Sequence, residues 1–222
     1  VLSAPGGATG DGFGNSATID RDTIVVGADR DATSGGGGAG SAAVFVRSGS
    51  TWSHQGQLLA ADGASNDFFG TSVSVRGDTA IVGSFFDNTA AGTDAGSAYV
   101  FTRSGGTWMQ TRQLLASEAA ANDYFGAGVS ISGRTIVVGA YADDTTAGLN
   151  AGSACIFSAA WQGSADLDGD GDADLDDYSH FAICLLGPAV GQDAACACTD
   201  LDADGDNDMR DFAAIQALAT DL

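Results

Sequence analysis

A Phe-Gly pair recurs at Phe13-Gly14, Phe69-Gly70 and Phe125-Gly126, each 56 residues after the last, and the register never slips. Self-similarity at a fixed period marks a repeat architecture, in which one supersecondary unit cannot bury its apolar face alone and must stack on its neighbours. Gly27, Gly83 and Gly139 keep the same period, and so do Ala39-Gly40-Ser41-Ala42, Ala95-Gly96-Ser97-Ala98 and Ala151-Gly152-Ser153-Ala154, each followed by Phe45, Phe101 or Phe157. Residues 58–101 and 114–157 are identical at 23 of 44 positions without a gap. The chain up to about residue 161 must therefore be solved by one unit used three times, over about 1–56, 57–112 and 113–161.

Within a unit, Ser72-Val73-Ser74-Val75 alternates, Arg76-Gly77-Asp78 turns the chain, and Thr79-Ala80-Ile81-Val82 returns it, which is the pattern of a hairpin. A long loop leads to Gly96. Ser97 to Thr102 reads as a third strand, Ser104-Gly105-Gly106 as a turn, and Thr107 to Leu114 as a fourth strand. Four antiparallel strands per repeat make one blade of a β-propeller, so the chain is predicted to be mainly β, with three four-stranded blades.

The Phe-Gly pairs, the Val82-Gly83-Ser84 and Val138-Gly139-Ala140 segments, and the Gly-Ser-Ala-x-Val-Phe strand resemble FG-GAP repeats, the blades of integrin α-type propellers, over residues 1–160. No proline follows Gly-Ala, and the loops from Asp87 to Asp94 and from Asp143 to Asn150 lack the Asp-x-Asp-x-Asp-Gly signature, so calcium is not placed in the blades. Phe69 and Phe125 are predicted to fill the gap between adjacent blades, Gly70 and Gly83 to permit close backbone approach, and Asp67 and Asp123 to bond turn amides. Arg76-Gly77-Asp78 matches a cell-attachment tripeptide, but its counterparts Asp20-Arg21-Asp22 and Ser132-Gly133-Arg134 mark the position as a hairpin turn.

Charge divides the chain. Of the 29 acids and eight arginines, fifteen acids and one arginine lie in the last 58 residues, and there is no lysine. A net charge of −21 repels phosphate backbones and anionic membranes, which excludes nucleic-acid binding, and no apolar run reaches the roughly 18 residues of a bilayer span. Neither a signal peptide nor an initiator Met is present, as in a mature or trimmed chain.

The acids of the tail are spaced. An EF-hand-type loop takes oxygen ligands from its positions 1, 3, 5, 7, 9 and 12, with glycine at 6. Asp166, Asp168, Asp170, Asp172, Asp174 and Asp177 fill those positions around Gly171, and Asp200, Asp202, Asp204, Asp206, Asp208 and Asp211 fill them again around Gly205. Two Ca²⁺ ions are expected. A helical stripe follows each loop, Tyr178, Phe181, Ala182 and Leu185 in one and Phe212, Ile215, Leu218 and Ala219 in the other, and Gly187-Pro188 stops the first. A loop and one helix, duplicated after a linker at 162–164, resemble a type I dockerin over residues 165–222. That resemblance implies a small helical domain folded by calcium and a cohesin-like partner, read by Leu175-Asp176 and Met209-Arg210.

Four cysteines, Cys155, Cys184, Cys196 and Cys198, lack zinc-site spacing and fit disulfides and export. Cys196 and Cys198 are too close to bridge each other comfortably, so two disulfides would join Cys184 to one and Cys155 to the other; alternatively Cys155 is a buried thiol. His54 and His180 have no Ser, Cys or carboxylate constellation to join, so no catalysis is assigned. Val1-Leu2-Ser3-Ala4 aligns with Gln57-Leu58-Leu59-Ala60 at the end of a fourth strand, while the third repeat leaves the pattern after Phe157. This offset predicts head-to-tail self-association, in a filament more than a closed oligomer, unless the 222 residues belong to a longer propeller. The expected protein is secreted or on the cell surface, calcium-binding, and structural or adhesive. The alternative is an accessory subunit tethered through a dockerin–cohesin contact.

Overall fold

The computed structural model describes residues 1–158, and the chain divides into two compact units, Val1–Phe157 and Ser158–Leu222. The described residues hold eleven strands: β1 Ala17–Asp20, β2 Thr23–Ala28, β3 Ser41–Ser48, β4 Thr51–Leu58, β5 Ser72–Arg76, β6 Thr79–Ser84, β7 Ser97–Ser104, β8 Thr107–Leu114, β9 Phe125–Ser132, β10 Thr135–Ala140 and β11 Ser153–Ser158. They form antiparallel meanders in the order β1-β2-β3-β4, β5-β6-β7-β8 and β9-β10-β11, two sheets of four and one of three. The expectation that the third repeat lacks a fourth strand falls on residues outside those described, as do the two calcium loops, their helices, His180, Cys184, Cys196 and Cys198.

Local chemistry explains each blade. The hairpins β1-β2, β5-β6 and β9-β10 close through two-residue loops whose first residue, Arg21, Gly77 or Gly133, is left-handed at φ of 49°, 53° and 52°. Such loops match the twist of the strands they join. The ladders β3-β4 and β7-β8 shift register at the same repeat position, between Val44 and Phe45 and between Val100 and Phe101. β9 starts earlier than its counterparts, at Phe125, and a bulge beside Ala140 pairs that residue with Phe125.

The core lies between the sheets. Val25, Ala42, Val44 and Leu58 of the first blade meet Phe69, Val75, Ala80, Val82, Tyr99 and Phe101 of the second. Because side chains alternate along a strand, Ile81 and Val100 turn to the opposite face, and both are buried. On the outer face of the first blade, Val26, Ala43 and Phe45 are covered by Leu2 and Phe13, so the N-terminal segment lies over the first blade as Leu58 and Phe69 lie over the second.

Candidate functional site

The seams between blades are built from repeated parts. Phe69 and Phe125 are completely buried, each against the third-strand phenylalanine of its own blade, Phe101 at 5.9 Å and Phe157 at 6.0 Å between ring centres. A side chain on Gly27 would strike the carbonyl of Gly70, and one on Gly83 the carbonyl of Gly126, so the close approach read from the sequence occurs at both seams. Asp67 and Asp123 accept from the amides of Ala64 and Ala120 at 2.6 Å, and Asp11 accepts from Ala8 in the same way.

Backbone bonds run across each seam in a fixed triplet. The amides of Asn66, Phe68 and Phe69 donate to the carbonyls of Gly37, Gly38 and Ala39 at 3.1, 3.1 and 3.0 Å. One repeat later, the amides of Asn122, Tyr124 and Phe125 donate to Thr93, Asp94 and Ala95 at 3.0, 3.2 and 3.0 Å. The hydroxyls of Ser16 and Ser72 add bonds to the carbonyls of Gly70 and Gly126 at 2.7 and 2.8 Å. Arg103 stacks over Trp108, pairs with Asp78 at 2.5 Å, and reaches Thr23 of the first blade at 3.1 Å. The counterpart of Thr23, Thr79, is buried with no partner for its hydroxyl among the described residues, and the sequence shows why: Arg47 and Arg103 are followed one period later by Ala159.

The Arg76-Gly77-Asp78 turn is occupied by seam contacts. Arg76 pairs with Asp20 at 3.6 Å, the Gly77 amide donates to Asp20 at 2.7 Å, and Asp78 holds Arg103.

Sequence reading missed two groupings. At the first seam, the Tyr99 hydroxyl lies 2.9 Å from Asp62 and 3.0 Å from Asp87, and Gln113 donates to the phenol oxygen at 3.2 Å. Ser97 donates to Asp87 at 2.5 Å. Burial raises the Asp87 pKa against the lowering effect of these donors. It raises Asp67 to about 6, with the charges of Asp87, Asp62 and Asp94 adding to the effect. Burial, with the Asp87 and Asp62 carboxylates adding to it, also pushes Tyr99 above its ordinary value. In the first blade Ala43 stands in place of Tyr99, and a cavity of about 30 Å³ opens there, bordered by Asp11, Phe13, Asp31, Ala43, His54 and Gln57. That is room for about two waters. His54 otherwise rests edge-on against Phe45 at 5.6 Å. The second missed grouping is a ribbon of rings: Phe68, Phe85, Phe86 and Tyr124 touch in succession, and Tyr124 stacks on the exposed Tyr141 at 5.1 Å. The doublets Phe68-Phe69 and Phe85-Phe86 were its only sequence signal.

Cys155 occupies the Tyr99 position in the third blade, half-buried, with its thiol pKa raised by burial and then by Asp143. Among the described residues no group of three or more His, Cys, Asp or Glu side chains could hold a metal ion, and no helix is long and apolar enough to cross a membrane.

The surface changes at the third blade. Val25, Ala42, Val44, Ile81 and Ala98 are completely buried, and Val100 nearly so, yet the third-blade counterparts Val137, Ala154 and Ile156 are exposed, Ile156 at 75%. The family model for the FG-GAP repeat matches residues 1–45, 52–101 and 108–157. The chain belongs to the FG-GAP repeat family. No curated protein matches it. Each FG-GAP unit here is a blade-like sheet whose two faces differ, one built to receive the preceding blade and one to receive the next, and no described residue covers the next-facing surface of the third.

Proposed function

We propose that this FG-GAP protein is a secreted, non-catalytic, calcium-binding structural or adhesive protein that self-associates head to tail through its blades. The observation that supports this reading is the apolar face of the third blade, covered by no described residue, where Val137 and Ile156 occupy positions that are buried wherever a further blade follows. Apolar patches of that kind on a sheet face mark contact surfaces. The acidic tail adds a docking module. The carboxylates of Asp166, Asp168, Asp170, Asp174 and Asp177, and of Asp200, Asp202, Asp204, Asp208 and Asp211, are hard oxygen donors suited to Ca²⁺, with the Asp172 and Asp206 positions contributing carbonyls. Without the ion these charges repel one another, so metal binding becomes folding free energy. The dockerin-like duplication gives the tail a second reading, as a tether to a cohesin-like partner on a cell surface or scaffold. Calcium loops and cysteines placed for disulfides both suit an extracellular address.

Light scattering of the chain in calcium tests self-association, beside a variant lacking residues 1–10. Concentration-dependent assembly that the variant loses is the expected result. A folded monomer at high concentration refutes it. Titration with a purified cohesin, with and without EDTA, separates the tether reading.

A further inference from the structure

We propose that Asp62, Tyr99 and Asp87 form a proton-held latch on the connection from β4 to β5, closed while Asp87 carries a proton and released when that proton leaves. The reasoning starts from a count of hydrogens. Apart from the Ser97 hydroxyl, which donates to Asp87, five contacts of 2.9 to 3.3 Å join the Tyr99 hydroxyl, the Gln113 amide and the two carboxylates. A phenol brings one hydrogen and a primary amide two, so with both acids ionised three hydrogens serve five contacts. The phenol oxygen stands 2.9 Å from Asp62 Oδ1 and 3.0 Å from Asp87 Oδ2, and its single hydrogen can point at only one of them. The other contact then sets two oxygens against each other with no proton between them.

One added proton removes the conflict. Carried by Asp87, it donates to the phenol oxygen, and the phenol hydrogen turns to Asp62. Asp87 is the group that takes it, because Asp87 is buried while Asp62 is exposed, and burial disfavours the charged form of a carboxylate. The raised Asp87 pKa, with burial as its first cause, agrees. Around the latch, the connection contributes Asp62 and Asp67, the β6–β7 loop contributes Asp87 and Asp94, and β7 contributes Tyr99, so the charges that act there are carboxylates. From β8 comes the neutral Gln113, opposite Tyr99, while Arg112 lies opposite Val100 on the other face of the strand. The other repeats show that the fold does not require this cluster. In the first, Gly6 and Ala43 stand at the Asp62 and Tyr99 positions, and Asp31 accepts from Ser41 at 2.6 Å and from Gln57 at 3.1 Å with no second acid beside it. In the third, Glu118 and Asp143 keep both acids but Cys155 replaces the phenol.

The latch holds the segment 59–71, which runs from the first blade to the second and carries the Asn66, Phe68 and Phe69 amides that bond the first blade. When Asp87 ionises, the phenol hydrogen turns to the buried carboxylate, two like charges face each other across the phenol, and the exposed Asp62 swings to water. The folded chain keeps the Asp87 proton to a higher pH than an unfolded aspartate of pKa 3.8. The latch is therefore fully closed below that value and is lost as pH rises through the raised one.

Carboxyl-carbon NMR titration of Asp87 in the full chain between about pH 4 and 8 tests the latch, together with hydrogen exchange of the Gly63 and Ala64 amides over the same range. Ala120, whose amide bonds Asp123 as that of Ala64 bonds Asp67, is the internal reference. The expected result is that Asp87 loses its proton above the ordinary aspartate range and that protection of Gly63 and Ala64 relative to Ala120 falls at least about tenfold across that titration, the factor that one pKa unit carries. Asp62→Asn places an amide donor against the phenol oxygen, so no proton is needed, and protection should stay near its low-pH value throughout. Asp67 still titrates in that variant, so a fall caused by Asp67 would persist there. Asp62→Gly, which copies the first repeat, removes the second acid and should lose the pH dependence as well. An Asp87 ionised over the whole range overturns the proposal. So does an Asp87 titration that the exchange does not follow, or a fall in protection that both variants retain.

Discussion

Removing the Tyr99 side chain in two steps tests whether the first seam is held by packing and a shared phenol, as its geometry indicates. Tyr99 is 1% exposed, its ring centre lies 5.5 Å from that of Phe69, and its hydroxyl serves both Asp62 and Asp87. Tyr99→Phe keeps the ring and deletes the hydroxyl that bonds both carboxylates. Gln113 still reaches both, at 3.2 and 3.3 Å, so the loss falls in the range of one buried hydrogen bond broken on one side, about 1–3 kcal/mol. Tyr99→Ala also deletes the ring and opens a cavity, and aromatic truncations of this kind cost about 3–5 kcal/mol. The first blade shows how a small residue is accommodated there: Ala43 is matched by Gly6 in place of Asp62, so one carboxylate is absent along with the phenol. Tyr99→Ala has no such compensation. The assay is urea unfolding in calcium followed by tryptophan fluorescence, with Trp108 at this seam donating to Gln55 at 2.9 Å as the reporter. The cost of Tyr99→Phe should shrink as pH falls, because a protonated Asp87 supplies the donor that the phenol supplied. A Tyr99→Ala loss below about 1 kcal/mol, or a Tyr99→Phe loss equal to it, refutes the account.

Asp67 has its folded pKa raised from 3.8 to about 6 by burial first, so the folded state binds more protons than the unfolded one in that interval and the contribution of Asp67 to stability falls as pH rises through it. Asp67→Asn keeps an oxygen for the Ala64 amide and should flatten this part of the stability profile relative to the parent; an unchanged difference curve between pH 4 and 6 contradicts the assignment. Calorimetric titration should find about two Ca²⁺ per chain, with EDTA abolishing a helical signal in circular dichroism, and neither heat nor spectral change would remove calcium from the proposal. Non-reducing peptide mapping should place Cys184 in a bridge to Cys196 or Cys198, with Cys155 taking the other; four free thiols exclude both bridges.

Strand positions, hairpin turns and the roles of Phe69, Gly83 and Asp67 were legible in the sequence because each depends on chemistry within a few residues, repeated with an unbroken 56-residue period. Alternation alone marked Ile81 and Val82 for opposite faces. What covers each face could not be read this way, since Val25, Ile81 and Val137 sit at one repeat position and read alike, yet the first two are completely buried and the third is 36% exposed. Burial there is a property of the neighbouring blade. The Asp62, Asp87, Tyr99 and Gln113 network was invisible for the same reason: its members span 51 residues, and Gly6 and Ala43 replace two of them in the first repeat. The donor and acceptor triplets needed tertiary structure most, because backbone groups carry no side-chain signature. Whether an amide such as that of Phe69 is satisfied depends on which carbonyl the stacking of blades brings within about 3 Å of it.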